Sequence, residues 1–322
     1  LQRYLSREKV ISDLITSYCT LLSDGEAEVR SVSATKLKEF CELIPESDRI
    51  DLIINKIVPH IENLASDANQ HVKVSLASVV MGLAPIVGKA KTIDHLLPIY
   101  LTELKDECAD VRLNIISSLG SVNEVIGVRQ LSQSLMPAII NLAEDTKWRV
   151  RLAIIEFIPL LATQLGAEFF NDKLHSLCMS WLTDSVFAIR NAATNNLARL
   201  TSTFGKGWVE KTVIPKVVEM ANDGNYLYRM TAIYCINTLS HSVDNRFFEQ
   251  TFLPILLNFV KDHVANVRFN LAKSLGYCRN SLSESTKTEV VKPLLDKLMQ
   301  DADFDVRYFA DIALQEINDH SG

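Results

Sequence analysis

Aspartate and a basic residue recur along this chain at one fixed spacing. In eight places an aspartate is followed six residues later by arginine or, once, by lysine, with an apolar residue just before the base. Such groups can form charge-assisted hydrogen bonds, because the carboxylate can accept free amides at a helix start and the guanidinium fork can bridge to an aspartate of its own or the next copy. The sixteen positions are Asp24 and Arg30, Asp67 and Lys73, Asp106 and Arg112, Asp145 and Arg151, Asp184 and Arg190, Asp223 and Arg229, Asp262 and Arg268, and Asp301 and Arg307. We call this set the ladder and predict a structural role for it, since one binding site would not require a pair at every step.

The ladder has a period that predicts the fold. Its aspartates are 43 residues apart once and then 39 apart six times running. A proline lies eight residues before the aspartate in six of the eight copies, namely Pro59, Pro98, Pro137, Pro215, Pro254 and Pro293. A period near 40 with two helical stretches is typical of HEAT or armadillo repeats. We therefore predict an all-α fold, an α-solenoid of eight HEAT repeats, each made of two antiparallel helices, A and B.

The repeats are expected to form one continuous domain over residues 1–322. Their predicted bounds are 1–47, 48–90, 91–129, 130–167, 168–206, 207–245, 246–284 and 285–322. Helix B should begin near the apolar residue and base, and helix A should be kinked at its proline. The last helix B carries polar outer positions, as a capping repeat does, whereas the first helix A has no comparable polar face. The sequence therefore predicts that N-terminal repeats preceding this chain are missing.

The composition excludes some classes of partner and indicates where the protein is located. The net charge is -6 and the pI is about 5.7, which argues against a track for nucleic-acid phosphates. We find no run of 18 apolar residues, so no membrane-spanning helix is predicted. The six cysteines form no CxxC pair and are interpreted as small buried hydrophobic residues in a reducing compartment. The expected location is the cytoplasm and also the nucleus, with association to centrosomes or chromosomes through partners.

Catalytic and metal-binding patterns are missing from the sequence. None of the seven histidines is followed by glutamate, and HExxH, GxxxxGK and GxSxG do not occur. No cofactor, metal or catalytic residue is therefore predicted, and the chain is expected not to be an enzyme. A HEAT-repeat enzyme remains a second alternative. It is disfavoured because a HEAT-repeat enzyme that holds iron does so with His-Glu pairs, and this sequence has none.

The residue three places after each ladder aspartate changes character along the chain. It is Ala27, Gln70 and Ala109 in the first three repeats, and Trp148, Phe187, Tyr226, Ala265 and Phe304 in the last five. Because small and polar residues serve in the early repeats, the fold itself does not demand an aromatic side chain there. Stacked helices lie about 10 Å apart, so Trp148 to Phe304 would mark a ridge roughly 40 Å long. Aromatic residues that are exposed at such turns, with Arg149 beside Trp148, are typical of protein interfaces, so we predict an interface here. The alternative is that each ring packs onto its own helix pair.

Six stretches of the sequence also carry a family resemblance. They are SDANQHVK from Ser66, LKDECADVRLNIIS from Leu104, VNEVIGVRQLSQSLMPAI from Val122, AEDTKWRVRLAIIEF from Ala143, NYLYRMTAIYCIN from Asn225 and VANVRFNLAKSL from Val264. The chain resembles repeats eight to fifteen of the scaffolding A subunits of protein phosphatase 2A. The resemblance implies that the catalytic subunit is held by the turns of repeats 4–8, and that regulatory B-type subunits bind mainly the preceding repeats. Carried over to this sequence, it assigns the catalytic-subunit contact to Trp148, Arg149, Phe187, Tyr226, Val264 and Phe304.

The resemblance implies a non-catalytic scaffold of a serine/threonine phosphatase holoenzyme, which holds the catalytic subunit while helping to place it beside a regulatory subunit. Two alternatives stay open. A HEAT-repeat transport receptor or another protein-interaction solenoid would use a concave cargo-binding face and would capture a Ran-type GTPase in place of a phosphatase. The HEAT-repeat enzyme would show bound metal or intrinsic turnover.

Overall fold

A computed structural model describes residues 6–319, apart from the side chains at positions 7, 10 and 11. Within that range the chain is helical and contains no strand. It divides into two compact units, Leu1–Phe157 and Ile158–Gly322. In each unit the helices follow one another as antiparallel pairs, and each helix B packs against the helix B of the next repeat. The all-α repeat architecture predicted from the 39-residue period is confirmed.

In the first unit, helix B of each complete repeat consists of two or three short helical segments. The segments are Ala27–Thr35 and Leu37–Glu42 in repeat 1, Gln70–Ala77, Val80–Leu83 and Ala84–Lys91 in repeat 2, and Ala109–Ser117 and Leu119–Ile126 in repeat 3. The segment Ala84–Lys91 is broken at Gly88, so its residues after this glycine belong to helix A of repeat 3. Helix A comprises Arg7–Lys9, Val10–Leu14 and Ile15–Leu22, then Glu46–Leu52, Ile53–Ile57 and Val58–Ala65, then Thr92–Leu96 and Leu97–Glu103, and finally Val128–Ala143 of repeat 4. The helical segment Trp148–Lys173 is broken at Gly166, so that helix B of repeat 4 ends before this glycine and residues 167–173 belong to helix A of repeat 5.

In the second unit, helix B is one continuous helix in every repeat. It spans Phe187–Phe204, Tyr226–Ser240, Ala265–Tyr277 and Phe304–Asp319. The helix A segments are His175–Trp181, then Lys206–Trp208, Val209–Val213 and Ile214–Ala221, then Asn245–Phe247, Phe248–Phe252 and Leu253–Asn258, and last Glu284–Thr286, Lys287–Val291 and Lys292–Leu298. Short 3-10 segments, Phe259–Lys261 and Cys278–Ser281, follow two of these helices.

Each helix B begins three residues after its ladder aspartate, for instance at Trp148 after Asp145 and at Phe187 after Asp184. Helix B thus starts near the apolar residue and base, as predicted, and two residues before the apolar residue. The turn that the aspartate forms is shorter than the apolar pattern alone indicates, so the helix begins closer to the aspartate. As a result, the variable position that is aromatic in the later repeats is the first residue of helix B.

A five-residue π-helical turn precedes the proline in five of the six helices A that contain one. In repeat 2 the turn is Ile53–Ile57, and Pro59 is the second residue of the segment that follows. Proline has no amide hydrogen to donate and its ring crowds the preceding turn, so the wider π turn accommodates it. Repeat 4 differs, because Pro137 lies inside an unbroken helix. Repeat 1 has a π turn at Val10–Leu14 without a proline, so proline is not its sole cause.

Four glycines with positive φ join one repeat to the next. They are Gly88, Gly127, Gly166 and Gly205, with φ between 79° and 86°. The residues are 39 apart, so sequence reasoning could have found this signal but missed it. At the matching place, repeats 6 and 7 have Asp244 and Ser283, whose side chains accept the amides of Phe247 and Thr286. The next helix A therefore begins one or two residues before each predicted repeat boundary.

The core of each unit is formed by aliphatic side chains of helices A and B. Ile15, Tyr18 and Cys19 of the first helix A belong to it, and Tyr18 stacks on Phe40 at 3.8 Å. That helix also exposes Ser12, Asp13, Thr16, Ser17 and Thr20, so the prediction that it lacks a polar face was wrong for the side chains described.

Five of the six cysteines are buried and all six are free thiols. Burial raises the pKa of Cys41 and Cys235 to about 12, so these thiols behave as the small hydrophobic residues that the sequence predicted. Two helical stretches, Gln70–Glu103 and Trp148–Lys173, are long and apolar enough by composition to cross a membrane, but 50% and 44% of their most apolar windows are buried inside the fold. Core packing therefore accounts for their apolar character.

Candidate functional site

The ladder aspartates shape the turn before each helix B. In all eight repeats one carboxylate oxygen accepts the amide hydrogen two residues further on, at 2.7 to 2.9 Å. The amide belongs to the residue directly before the helix, so the bond fixes where the helix starts. The residue that follows, the first of helix B, is held at the edge of the turn in every repeat.

The basic partners of the ladder reach from one repeat to the next in the first unit. Arg30 donates two hydrogen bonds to Asp67, from Nε at 2.7 Å and from Nη2 at 3.0 Å. Lys73 donates to Asp106 at 2.6 Å. The Nη2 atom of Arg112 donates to Asp145 at 3.1 Å, whereas Nε lies 2.8 Å from the second oxygen without the geometry of a hydrogen bond. These pairs repeat one side-chain link between successive turns.

The same link occurs twice in the second unit. Arg229 holds Asp262 and Arg268 holds Asp301, each through two bonds of 2.6 to 2.9 Å. The guanidinium of Arg190 has no such carboxylate partner among the described residues. Its Nη1 atom donates to the carbonyl oxygens of Asp184 and Ser185, at 2.7 and 3.1 Å. The ladder is therefore interrupted after repeat 5.

These bonds perturb the acids and bases they join. The hydrogen bonds from Arg30 hold the pKa of Asp67 below its usual range, although burial acts in the opposite direction. Arg268 lowers the pKa of Asp301 in the same way. Burial would raise the pKa of Asp262, but the bonds from Arg229 and from the Val264 amide lower it overall. The carboxylates are thus stabilised in the charged form that the ladder requires.

The structure places the six predicted contact residues at the turn before helix B or at its first residues. Phe187, Tyr226 and Phe304 are first residues and are 60%, 39% and 68% exposed. Val264 lies directly before its helix and is half-buried. Arg149 is exposed and its guanidinium carbon lies 4.7 Å from the centre of the Trp148 ring. In the second unit Phe187, Tyr226 and Phe304 thus occupy one equivalent place in repeats 5, 6 and 8.

Trp148 differs from the other three aromatic residues because it is half-buried. It lines a cavity of about 270 Å³ in the first unit, together with Ala109, Leu113 and Thr146. Part of the indole therefore packs on the preceding repeat, which is the packing alternative raised by the sequence. The remaining face lies beneath Arg149 and stays accessible.

Sequence reasoning missed a second set of exposed aromatic and apolar side chains. Leu227, Tyr234, Tyr277 and Tyr308 lie on helix B and are between 37% and 52% exposed. These positions lie outside the apolar spacing that marks the core face of helix B. The sequence therefore contained a signal that these side chains are exposed. Among residues 6–319, no group of three histidine, cysteine, aspartate or glutamate side chains is placed to hold a metal ion.

Comparison with known proteins finds similarity to one family in part of the chain. A profile described as PPP2R1A-like HEAT repeat matches residues 8–88. The chain is 57% identical over 118 residues to the beta isoform of the human serine/threonine-protein phosphatase 2A 65 kDa regulatory subunit, and the match covers 37% of this chain and 20% of that protein. Residues 8–88 are therefore similar to the PPP2R1A-like HEAT-repeat family.

A second relative is the Drosophila melanogaster serine/threonine-protein phosphatase PP2A 65 kDa regulatory subunit, which is 50% identical over 67 residues, covering 21% of this chain and 11% of that protein. The matched part of the chain thus spans a fifth or less of these relatives. Both relatives are named as regulatory subunits of a phosphatase.

Solved structures with the same fold include nuclear transport proteins. Kap95p, in a structure with RanGDP, has a TM-score of 0.74 over 97% of this chain and 41% of its own, at 14% identity. Kap121p has a TM-score of 0.69 over 98% of this chain and 34% of its own, also at 14% identity. At this identity the likeness shows the solenoid fold alone.

Proposed function

We propose that this chain is a non-catalytic scaffold of protein phosphatase 2A that binds the catalytic subunit through the turns of repeats 4–8. The observation that carries the proposal is the position of Phe187, Tyr226 and Phe304. Each is the first residue of helix B, each is exposed, and the fold accepts alanine at the same place in repeat 7. The regulatory-subunit names of the relatives support the choice of partner.

The ladder explains how these side chains can act as docking points. Asp184 and Asp223 each bond the amide just before the helix, so Phe187 and Tyr226 leave the turn from a fixed backbone position. Aromatic side chains lose little conformational entropy on binding and supply large contact areas, which is why they often dominate the energy of an interface. The exposed guanidinium of Arg149 adds a polar group beside Trp148.

The scaffold acts by geometry. Helices stacked in series hold two bound partners at a restricted separation, which raises the effective concentration of one partner near the other. We propose that this chain in this way helps to place the catalytic subunit beside a B-type regulatory subunit, which is bound mainly by repeats of the full-length scaffold that precede it. The complex acts in the cytoplasm and the nucleus.

Titration of purified catalytic subunit onto the chain tests the proposal. The unmodified chain should bind, and the triple variant Phe187→Ala, Tyr226→Ala, Phe304→Ala should lose at least about 100-fold in affinity, because each truncated anchor typically costs about 1 to 4 kcal/mol. Its melting temperature should change little, since all three rings are exposed. Val32→Ala is a matched control, because Val32 is 64% exposed on helix B of repeat 1, outside the proposed contact.

Two results would contradict the proposal. One is the absence of binding by the unmodified, folded chain. The other is an affinity of the triple variant equal to that of Val32→Ala, which would show that the three rings do not contact the partner.

A further inference from the structure

A cavity in the second unit lies along helix B and shares Phe187 with the proposed contact at the turns. Its volume is about 420 Å³, and it is lined by helix B of repeats 5 and 6 with Tyr277 from repeat 7. Its apolar walls are Phe187, Leu227, Met230, Tyr234 and Tyr277. Leu227, Tyr234 and Tyr277 are among the exposed apolar residues of this unit, so the cavity opens to solvent.

Arg190 is the one charged side chain that lines this cavity. At the corresponding place Arg229 and Arg268 each hold a carboxylate with Nε and Nη2, at 2.6 to 2.9 Å. The carboxylate equivalent to theirs would come from Asp223, but Arg190 and Asp223 form no ion pair among the described residues. Asp223 instead accepts the Asn225 amide at 2.7 Å.

The position of the Arg190 side chain follows from this missing bond. Its guanidinium carbon lies 5.7 Å from the centre of the Phe187 ring. The same arrangement occurs at Arg307, where no later ladder aspartate follows and the guanidinium lies 5.8 Å from the Phe304 ring. The Nε and Nη2 donors that bind aspartate in Arg229 and Arg268 are therefore available in Arg190.

The other polar side chains that line the cavity, apart from the tyrosine hydroxyls, are three threonines, Asn191 and Asn237, and none of them is charged. The hydroxyls of Thr194, Thr231 and Thr238 each donate to a carbonyl oxygen of their own helix, at 2.8 to 2.9 Å. No aspartate or glutamate is among the residues that line the cavity. The site thus offers one cationic fork beside apolar walls.

We infer that this cavity binds a peptide segment of a partner protein in which a carboxylate side chain stands next to a large apolar side chain. The carboxylate takes the place on Arg190 that a ladder aspartate takes on Arg229, as a bidentate charge-assisted pair. The apolar side chain enters between Leu227, Tyr234 and Tyr277. A volume of about 420 Å³ is at the small end of ligand sites, which suits one or two side chains and not a folded surface.

The test uses the whole chain and a fluorescently labelled, acetylated hexapeptide in which glutamate is followed by phenylalanine, with alanine elsewhere. Fluorescence anisotropy should show saturable binding. The same peptide with glutamine in place of glutamate should bind at least about tenfold more weakly, because it cannot form the charged pair. Arg190→Gln should cause a similar loss for the glutamate peptide and little change for the glutamine peptide.

Two further variants separate binding from stability. Tyr234→Ala should weaken binding of both peptides, because it removes part of the apolar wall. Arg199→Gln, at an exposed arginine on the same helix but outside the cavity, should leave binding unchanged. The inference is overturned if the glutamate peptide does not bind, if both peptides bind the unmodified chain equally, or if Arg190→Gln and Tyr234→Ala bind like Arg199→Gln. None of these measurements involves the phosphatase, so their outcome is independent of the proposed scaffold role.

Discussion

Arg229 and Asp262 form the most buried of the ladder links described above. The Nε and Nη2 atoms of Arg229 donate to the two carboxylate oxygens of Asp262 at 2.6 and 2.9 Å, and the side chains are 7% and 6% exposed. The remaining Nη1 atom donates to the carbonyl oxygens of Asp223 and Gly224, at 2.8 and 3.0 Å. One guanidinium therefore joins the turn of its own repeat to the turn of the next.

Comparison of Arg229→Ala with Arg190→Ala measures that link. Arg229→Ala should lower the free energy of unfolding by about 3 kcal/mol, since it leaves a buried carboxylate without its partner. Arg190→Ala should cost about 1 kcal/mol, because only two bonds to carbonyl oxygens and a ring contact are lost. Urea unfolding of both variants provides the measurement. Equal losses would show that Arg190 has a carboxylate partner in solution.

Glu103 makes stability fall as pH rises. The side chain is fully buried, neither carboxylate oxygen has a hydrogen-bond partner, and burial raises its pKa to about 8. The folded state thus binds a proton that the unfolded state releases near pH 4.3, so the favourable contribution is complete below that pH and is lost as pH rises to about 8. Glu103→Gln should therefore raise the free energy of unfolding at pH 7 by about 2 kcal/mol and by less at pH 5.

Thermal melts at pH 5 and pH 8 check this prediction. Glu107→Gln is the control, because Glu107 is exposed nearby and should show no comparable pH-dependent gain. A Glu103→Gln gain that is the same at both pH values would indicate that Glu103 does not titrate in this range.

Gly127 tests the requirement for positive φ between repeats. Its φ is 84°, so an alanine there is strained although nothing lies within 4 Å of the added carbon. Gly127→Ala should lower the free energy of unfolding by about 1 to 2 kcal/mol. Gly120→Ala is the matched control, since Gly120 lies inside the helix Leu119–Ile126 with equally open space, and this change should be neutral or stabilise by up to about 1 kcal/mol. The same sign for both variants in urea unfolding would refute the backbone explanation.

Truncation of Trp148 tests whether one ring both packs inside the fold and contacts the catalytic subunit. Trp148→Ala should weaken catalytic-subunit binding by at least about tenfold, because a partner would cover the face that lies beneath Arg149. It should also lower stability by about 1 kcal/mol, since the ring lines a cavity with Ala109 and Leu113. The equivalent position in repeat 3 is Ala109. Ala109→Trp is not a neutral control, because Ala109 contributes to the same cavity.

Gln70→Trp is the better control for Trp148. Gln70 is the exposed first residue of helix B in repeat 2 and should accept the ring without a change in affinity or melting temperature. Titration with catalytic subunit beside a thermal melt decides the outcome. If Trp148→Ala melts earlier but binds with full affinity, Trp148 is only a packing residue.

Several features could be predicted because they are local and recur. The ladder aspartate and the aromatic position after it lie within a single turn, and this turn recurs with the 39-residue period. The same local geometry therefore forms in every repeat. The positive-φ glycines, of which Gly127 is one, belong to the same class, since they follow the same period. Periodicity did not fix the start of helix B, because the bond from the ladder aspartate to the amide two residues later decides it.

By itself the sequence determined the repeat, the helix pairs and the position of the candidate contact residues, because these depend on the chain within about 40 residues. Only the tertiary structure decided which equivalent residues have equivalent surroundings. Trp148 is half-buried where Phe187 is exposed, Arg190 lacks the carboxylate that Arg229 holds, and the carboxylate of Glu103 is enclosed. The physical reason is that burial and ion pairing depend on side chains of the adjacent repeats, which are brought close only when the helices stack.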